Sequence, residues 1–275
     1  MTAAPLLPEI RIDAEAPAAE VRVYLERDRV MAAYALADLD VAAVERARWW
    51  VARRDGEIVA CALLVETLPF RPCFATGASE PLAQIFREGL REPRIVVAAP
   101  PSGRLAVEAT YRFERLDRMH RMAVDVTTFR PRVTHRVRRL GPELLDDVID
   151  LYGHASRTYF TAPRLEREIY YGIYVGDTLA AAAGTHVRSD LSDVAAVGNV
   201  LTRVAYRSRG MATTCTSAVT ASALERHRDV VLNVRRDNAA AIAVYERLGY
   251  RVHGPFIEGP AIRRSALERL FGRMR

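Results

Sequence analysis

The chain has 275 residues, half of them hydrophobic and 27% charged, which is the composition of a folded globular protein with one large or two modest domains. This apolar content excludes a mainly disordered chain, and the longest apolar runs are far shorter than the ~20 residues of a membrane helix. The net charge is +6, but the 40 basic residues, all of them arginine, are spread along the chain, which argues against a concentrated nucleic-acid-binding face.

The three cysteines, Cys61, Cys73 and Cys215, are an odd number without paired spacing. They fit a reducing cytoplasm and exclude a disulfide scaffold or a four-cysteine zinc site. The first residues, MTAAPLLPEI, have no basic start and no long apolar stretch, so we expect no secretory signal. The sequence therefore predicts a cytoplasmic protein without a bound metal and without a membrane or nucleic-acid partner.

The first half of the chain begins with helices and continues with a hairpin. Apolar residues at helical spacing predict one or two helices over Ala18–Leu39. Asp55-Gly56 lies between the apolar runs Trp49–Arg53 and Glu57–Val65, which predicts a hairpin. The next predicted elements, in chain order, are a strand at Pro72–Ala75, a helix at Pro81–Leu90, a strand at Arg94–Ala98, a helix at Leu105–Phe113 and a strand at Arg121–Val126.

The second half, which begins after Pro131, repeats this order of elements. The predicted elements are a strand at Val133–Arg139, a helix at Glu143–Tyr152, a hairpin of Tyr170–Val175 and Leu179–Val187, a strand at Val194–Val204, a helix at Ala212–Arg226, a strand at Val230–Val234, a helix at Asn238–Leu248 and a strand at Tyr250–Ile257. The common order predicts two similar domains, 1–130 and 131–275. A last predicted helix, Ile262–Phe271, would dock on its own domain or on a second subunit, which leaves a homodimer open.

The segment Val200–Thr213 carries the clearest chemical signal. A strand ends in a polar turn with a glycine, and a helix of small residues begins at once. Helix N-termini bind anions because their first N–H groups have no partner in the helix, and Gly210 lets a ligand approach the backbone. With Arg207 and Arg209 nearby, these features suit a pyrophosphate. The alternative is an ordinary turn with solvated arginines.

Arg207-Ser208-Arg209-Gly210-Met211-Ala212 resembles the acyl-CoA-binding motif of the GNAT N-acetyltransferase superfamily, although many members have glycine where this chain has Ser208. The later pattern Asn238-x-x-Ala241-x-x-x-Tyr245-x-x-Leu248-Gly249-Tyr250 resembles the signature of the same superfamily. The resemblance covers about Arg132–Gly259. It implies an α/β fold with a mixed sheet (α+β) and tandem GNAT-like domains. The N-terminal domain would be degenerate, because Phe74–Ile85 lacks a phosphate motif, and the whole chain is similar to bacterial two-domain enzymes related to the glycine N-acyltransferase branch.

The resemblance implies transfer of an acetyl group from acetyl-CoA to a small-molecule or peptide amine by direct attack. Tyr245 would protonate the departing thiolate and also contact the cofactor. A base with a pKa of about 7 suits removal of the amine proton, and His186 is the best-placed histidine, although a strand histidine without a catalytic role or a water chain are alternatives. The remaining residues implied to bind acetyl-CoA are Leu201, Thr202, Arg207, Ser208, Arg209, Gly210, Met211, Ala212, Thr213, Asn233 and Asn238.

Three other functions remain open at this point. The enzyme could use a longer acyl-CoA or an amino-acid acceptor, or the protein could bind acyl-CoA as a sensor without turnover. An intact Tyr245 favours an enzyme, because a sensor has no need of a proton donor. The acceptor pocket is expected between Tyr152–Phe160 and the hairpin Tyr170–Val187, whose aromatic residues either line the pocket or pack in the core.

Overall fold

The structure, a computed structural model, describes residues 9–41, 46–68, 70–265 and 268. Its contacts divide the chain into two compact units. The first unit comprises Met1–Asp28, Asp38–Met119 and Pro255–Arg275, and the second comprises Arg29–Ala37 and His120–Gly254. The units therefore interleave along the chain, whereas the sequence predicts two consecutive ranges.

The strands are β1 (Arg11–Asp13), β2 (Ala47–Arg54), β3 (Glu57–Val65), β4 (Pro72–Gly77), β5 (Arg94–Ala99), β6 (Tyr111–Phe113), β7 (Asp117–Val124), β8 (Arg138–Arg139), β9 (Tyr170–Val175), β10 (Thr178–Ser189), β11 (Val194–Thr202), β12 (Asp229–Arg235) and β13 (Arg251–Arg263). The α-helices are α1 (Ala18–Leu25), α2 (Arg29–Asp40), α3 (Ser79–Gln84), α4 (Arg104–Glu108), α5 (Leu145–Tyr152), α6 (Ala162–Arg167), α7 (Met211–Leu224) and α8 (Ala239–Arg247). No helix in these described ranges is long and apolar enough to cross a membrane.

The first unit is built on a sheet of strand order β1-β2-β3-β4-β5-β13, with β6 paired to β13. Its β2–β3 hairpin turns at Asp55 and Gly56, both with positive φ, as the Asp-Gly signal predicts. β4 and β5 are parallel, and the other pairs of known register are antiparallel. The core of this unit includes Trp50, Phe86 and Tyr111.

The second unit has the strand order β7-β12-β11-β10-β9-β8. Its sheet carries a separate apolar cluster on each face. One cluster joins Cys215 and Val219 of α7 to the sheet, and the other joins α5 and α6 to β10 through residues such as Leu151, Leu165 and Leu179. The predicted mixed α/β architecture is confirmed, with helices covering both faces of a sheet that contains parallel and antiparallel pairs.

The first predicted strand of the second half is shorter than expected. Of the strand predicted at Val133–Arg139, only Arg138–Arg139 is paired, because the preceding segment hydrogen-bonds to side chains of α7 instead. The N–H of Arg132 donates to Ser217 Oγ (2.9 Å), and the N–H of Thr134 donates to Thr214 Oγ1 (3.2 Å).

The end of the chain also departs from the prediction. β13 continues through Gly259-Pro260 to Arg263, although this dipeptide is typical of a turn. Pro260 needs no N–H there, and its carbonyl accepts from the N–H of Glu114 (2.9 Å). The predicted helix Ile262–Phe271 therefore begins inside a strand, and most of its remaining residues lie outside the described part of the chain.

Candidate active site

The parallel strands β11 and β12 separate at their carboxyl ends. They pair from Val194 opposite Asp229 to Val197 opposite Leu232, and no further pair is formed among the described residues. β11 nevertheless continues to Thr202 and β12 to Arg235. Ligands bind in α/β proteins at crevices beside the carboxyl ends of parallel strands. We therefore take the opening between these two strand ends as the candidate site, and call it the strand cleft.

A β-bulge in β11 lies at the start of the strand cleft. Ala182 pairs with Leu201 and Gly184 with Gly198, so Asn199 and Val200 lie opposite the single residue between them. Asn199 has φ 51°, and a bulge of this kind bends its strand. The Tyr152 hydroxyl donates to the carbonyl of Asn199, which holds the bulge in place.

Two buried polar atoms on the ends of these strands have no hydrogen-bond partner among the described residues. They are Oγ1 of Thr202, at the end of β11, and Oδ1 of Asn233, on β12 beyond its last paired residue. A buried polar atom without a partner costs about 1–3 kcal/mol, so such atoms are rare unless a ligand or water satisfies them. Both residues belong to the set that the family resemblance implies for acetyl-CoA binding.

The turn between β11 and α7 presents backbone N–H groups. Gly210 precedes the first residue of α7 with φ 78° and no side-chain cap, so the amides of Met211, Ala212 and Thr213 start the helix without an acceptor inside it. Ser208 also has a positive φ, of 61°, a backbone conformation that favours glycine. The nearest atom to a Cβ placed on Gly210 would be Thr134 Oγ1 at 3.6 Å, so the loop is open there.

The two arginines of this loop are exposed to solvent. Arg207 and Arg209 are exposed, and neither forms an ion pair with a residue in the described ranges. Nε of Arg207 donates to the carbonyl of Thr202 (3.2 Å), and the guanidinium of Arg209 lies 5.6 Å from the ring centre of Tyr206. The turn thus combines free amides with two unpaired cations, which is the chemistry that binds a diphosphate.

Two other predicted cofactor residues have mainly structural contacts. Oδ1 of Asn238 accepts from the N–H of Ala241 (3.1 Å), so this side chain caps α8. Leu201 is partly buried against the apolar cluster of α5 and α6. Met211 is buried in the other cluster, while Ala212 and Thr213 are half-buried.

Tyr245 lies on α8 with 7% of its surface exposed. Its ring packs edge-on against Tyr250, 6.0 Å between ring centres, and belongs to the same apolar cluster as Met211 at the start of α7. Its hydroxyl has no hydrogen bond to any residue that the structure describes. Burial raises the pKa of Tyr245 to about 12, so the hydroxyl keeps its proton at neutral pH and can donate it.

His186 does not have the properties of the predicted base. It is the extra residue of a second bulge, on β10, and its Nδ1 lies 3.2 Å from the Tyr159 hydroxyl. Its ring also lies 5.3 Å from the ring of Tyr34. Burial, together with the charge of Arg164, lowers the pKa of His186 to about 4. This value lies below the pKa of about 7 that suits such a base, which counts against the predicted role of His186.

Sequence reasoning missed a polar cluster next to the bulge. Nδ2 of Asn199 donates to the hydroxyls of Tyr159 (3.1 Å) and Tyr170 (2.8 Å), and Arg164 Nη2 donates to the Tyr159 hydroxyl (2.7 Å). Asn199 follows Gly198 in an otherwise apolar strand. Because a glycine inside a strand is typical of a bulge, the sequence does contain a signal for this position. No sequence signal pointed to Arg164.

The other aromatic residues of the predicted acceptor region pack in the core. Phe160 and Tyr170 are buried, and the Tyr171 hydroxyl is hydrogen-bonded to Ser222 Oγ (3.1 Å). Within the described ranges, no group of three or more His, Cys, Asp or Glu side chains is placed to hold a metal ion.

The family model "FR47-like protein" matches residues 170–255, which include the strand cleft, the loop and Tyr245. No match to a curated protein was found.

Solved structures share the fold of the chain at low sequence identity. A Drosophila melanogaster protein has a TM-score of 0.66 at 14% identity, covering 92% of this chain and 98% of its own. A GNAT-family acetyltransferase from Colwellia psychrerythraea has a TM-score of 0.58 at 12% identity, covering 93% and 100%. A tandem GNAT protein from the clavulanic acid biosynthesis pathway has a TM-score of 0.57 at 14% identity, covering 93% and 98%. These likenesses confirm the predicted GNAT-like fold.

Proposed function

We propose that the second unit is an N-acetyltransferase that transfers an acetyl group from acetyl-CoA to a primary amine. The observation that carries this proposal is the strand cleft, with Thr202 Oγ1 and Asn233 Oδ1 buried and unpartnered on its two sides. The pantetheine arm of CoA carries amide groups that would satisfy both atoms. The open loop at Gly210 lies where the same ligand would place its diphosphate.

Each part of the site has a role in this proposal. The amides of Ser208–Thr213, with Arg207 and Arg209, hold the diphosphate. Backbone groups of Leu201 and Thr202 contact the arm and donate to the oxyanion that forms as the amine attacks the thioester. The Tyr245 hydroxyl gives its proton to the departing thiolate.

Direct attack fits the state of the only cysteine on α7. Burial raises the pKa of Cys215 to about 12, so its thiol is not ionised at neutral pH and is a poor nucleophile. The amine therefore attacks the thioester itself. An alkyl amine with a pKa of about 10 must lose a proton first, at a cost of about 4 kcal/mol at pH 7. Because the pKa of His186 is too low for this task, we assign the proton to a water chain.

The first unit is proposed to be non-catalytic. Its strand β4 ends at a glycine with a positive φ, Gly77, which is paired with Ala60 of β3. The segment Phe74–Ile85 around it has no counterpart of the phosphate motif Arg207–Ala212. The three cysteines are buried and free, which supports the expected cytoplasmic location.

The test is turnover with acetyl-CoA and a panel of primary amines. Release of CoA is followed with a thiol reagent, and the acetylated product is identified by mass spectrometry. The proposal predicts a stoichiometric acetyl-amine product with at least one amine. Tight acetyl-CoA binding without turnover on any amine would contradict an enzyme and favour a sensor, and turnover only with longer acyl-CoA donors would contradict the assignment of acetyl-CoA.

A further inference from the structure

A basic segment, residues 126–142, runs along α7 in the second unit. It contains five arginines and one histidine but no acidic residue. The N–H of Arg132 donates to Ser217 Oγ (2.9 Å). Two residues later, the N–H of Thr134 donates to Thr214 Oγ1 (3.2 Å), which lies about one turn nearer the start of the helix. The basic segment therefore approaches the N-terminus of α7 as the chain proceeds.

His135, the next residue, lies beside the loop that precedes α7. A Cβ placed on Gly210 would lie 3.6 Å from Thr134 Oγ1 and 3.8 Å from His135 Cε1. Cε1 is the ring carbon between the two nitrogens, so the nitrogen-bearing edge of the imidazole faces this loop. The amides of Met211–Thr213, which have no acceptor inside the helix, follow directly after Gly210. The imidazole and the start of the helix thus border the same place.

One ring nitrogen of His135 is held in position. Nδ1 lies 3.0 Å from Thr134 Oγ1, and this oxygen lies 3.1 Å from Thr214 Oγ1 on α7. When Nδ1 accepts from the Thr134 hydroxyl, the hydrogen of the neutral ring is on Nε2, and the charged ring also carries a hydrogen there. Nε2 has no hydrogen bond to any residue that the structure describes, and the side chain is half-buried. This N–H is therefore available to a ligand.

The arginines of the basic segment form no ion pairs within the described ranges. Nε of Arg132 donates to the carbonyl of Arg247 (3.3 Å), and the guanidinium of Arg138 lies 5.6 Å from the ring centre of Tyr174. Arg139 donates to two backbone carbonyls. These contacts are with neutral groups, so they leave the charge uncompensated. Together with the two exposed arginines of the loop, the segment gives the start of α7 a positive potential, which attracts a multiply charged anion.

We infer that His135 donates from Nε2 to the diphosphate of the acyl-CoA donor, so that the basic segment forms a second wall of the diphosphate site. This inference rests on the proposed acyltransferase function, whose own evidence is the pair of buried atoms on Thr202 and Asn233. Thr134 is a positioning residue, because its hydroxyl holds the imidazole and contacts Thr214 in turn. Such a site selects thioesters that carry a diphosphate over thioesters of phosphopantetheine, which carry a single phosphate.

The first experiment titrates acetyl-CoA by calorimetry into the wild type and matched variants. His135→Leu should raise the Kd at least ~10-fold, a difference equal to about 1.4 kcal/mol. His135→Gln keeps an N–H donor on a side chain of similar reach and should raise the Kd by a smaller factor. His253→Leu, which removes an exposed histidine of β13, should bind as the wild type does. An unchanged Kd in folded His135→Leu and His135→Gln would overturn the inference.

A double-mutant cycle tests the positioning role of Thr134. Thr134→Val should weaken acetyl-CoA binding less than His135→Leu does, because it releases the imidazole without removing it. The double variant should bind no more weakly than His135→Leu alone, since both changes act through one hydrogen bond to the ligand. Losses that add in the double variant would contradict this role. At saturating acetyl-CoA, kcat should stay at the wild-type value in His135→Leu, because the diphosphate takes no part in the bond changes.

The second experiment changes the ligand. Dephospho-CoA keeps the diphosphate of CoA but lacks its 3′-phosphate. His135→Leu should therefore lose the same factor in affinity for dephospho-CoA as for CoA, and a loss confined to CoA would overturn the assignment to the diphosphate. The wild type separates this inference from the proposed function. A wild type that does not bind acetyl-CoA would defeat the proposed function, whereas equal binding by the wild type and His135→Leu would defeat this inference alone.

Discussion

Tyr245→Phe tests whether the hydroxyl of this residue acts in the reaction. The hydroxyl has no hydrogen bond among the described residues, so its removal leaves no buried partner unsatisfied, and stability should change by less than about 0.5 kcal/mol. The raised pKa of about 12 keeps the proton on Tyr245, so the group can serve as a general acid. General acids contribute about 10²–10⁴-fold, and we therefore expect kcat to fall at least ~10²-fold, or about 2.7 kcal/mol.

The comparison with Tyr245→Ala separates chemistry from packing. The ring is 7% exposed and packs against Tyr250, so its removal should lower the free energy of unfolding by about 3–5 kcal/mol. The assay measures kcat, the KM for acetyl-CoA and urea unfolding for both variants. If Tyr245→Phe keeps normal turnover while only Tyr245→Ala is impaired, the tyrosine is a core residue and the reasoning is refuted.

Other predictions concern stability and pH. Gly184→Ala should cost about 1–3 kcal/mol in urea unfolding, because its Cβ would lie 2.1 Å from the Tyr170 ring, and an unchanged midpoint would refute this packing. The pKa of His186 is about 4 in the folded protein and about 6.5 in an unfolded chain, so the unfolded state binds more protons between these values. Stability should thus fall by up to about 3 kcal/mol as the pH drops from 6.5 to 4, and His186→Gln should remove this fall. A wild type and His186→Gln with equal pH dependence would contradict the lowered pKa.

The sequence predicted those features of the fold that depend on neighbouring residues. The Asp55-Gly56 hairpin, the turn at Gly210 and the cap at Asn238 all follow from the conformational preferences of one or two residues. The spacing between Asn238 and Tyr245 is also a local feature, because Asn238 caps α8 and Tyr245 lies within the same helix. These features were enough to locate the loop and one wall of the strand cleft.

Features that depend on distant contacts could not be predicted. The segment before Arg138 is extended, but α7 rather than a strand satisfies its backbone. The pKa of His186 is lowered first by burial and then by the charge of Arg164, which is 22 residues away, so the low value has no local signature. β13 continues through Gly259-Pro260 because this segment pairs with β5 and because the carbonyl of Pro260 accepts from the N–H of Glu114, the residue after β6.

Calorimetric titration with acetyl-CoA tests the central claim most directly. We predict one site per chain, because the loop at Gly210 follows the phosphate motif Arg207–Ala212 and Phe74–Ile85 of the first unit has no counterpart of that motif. Gly210→Glu should abolish binding by placing bulk and negative charge at the proposed diphosphate site. Gly176→Glu, at an open hairpin turn that also has a positive φ, should bind as the wild type does. Two sites per chain, or unchanged affinity in Gly210→Glu, would contradict the account.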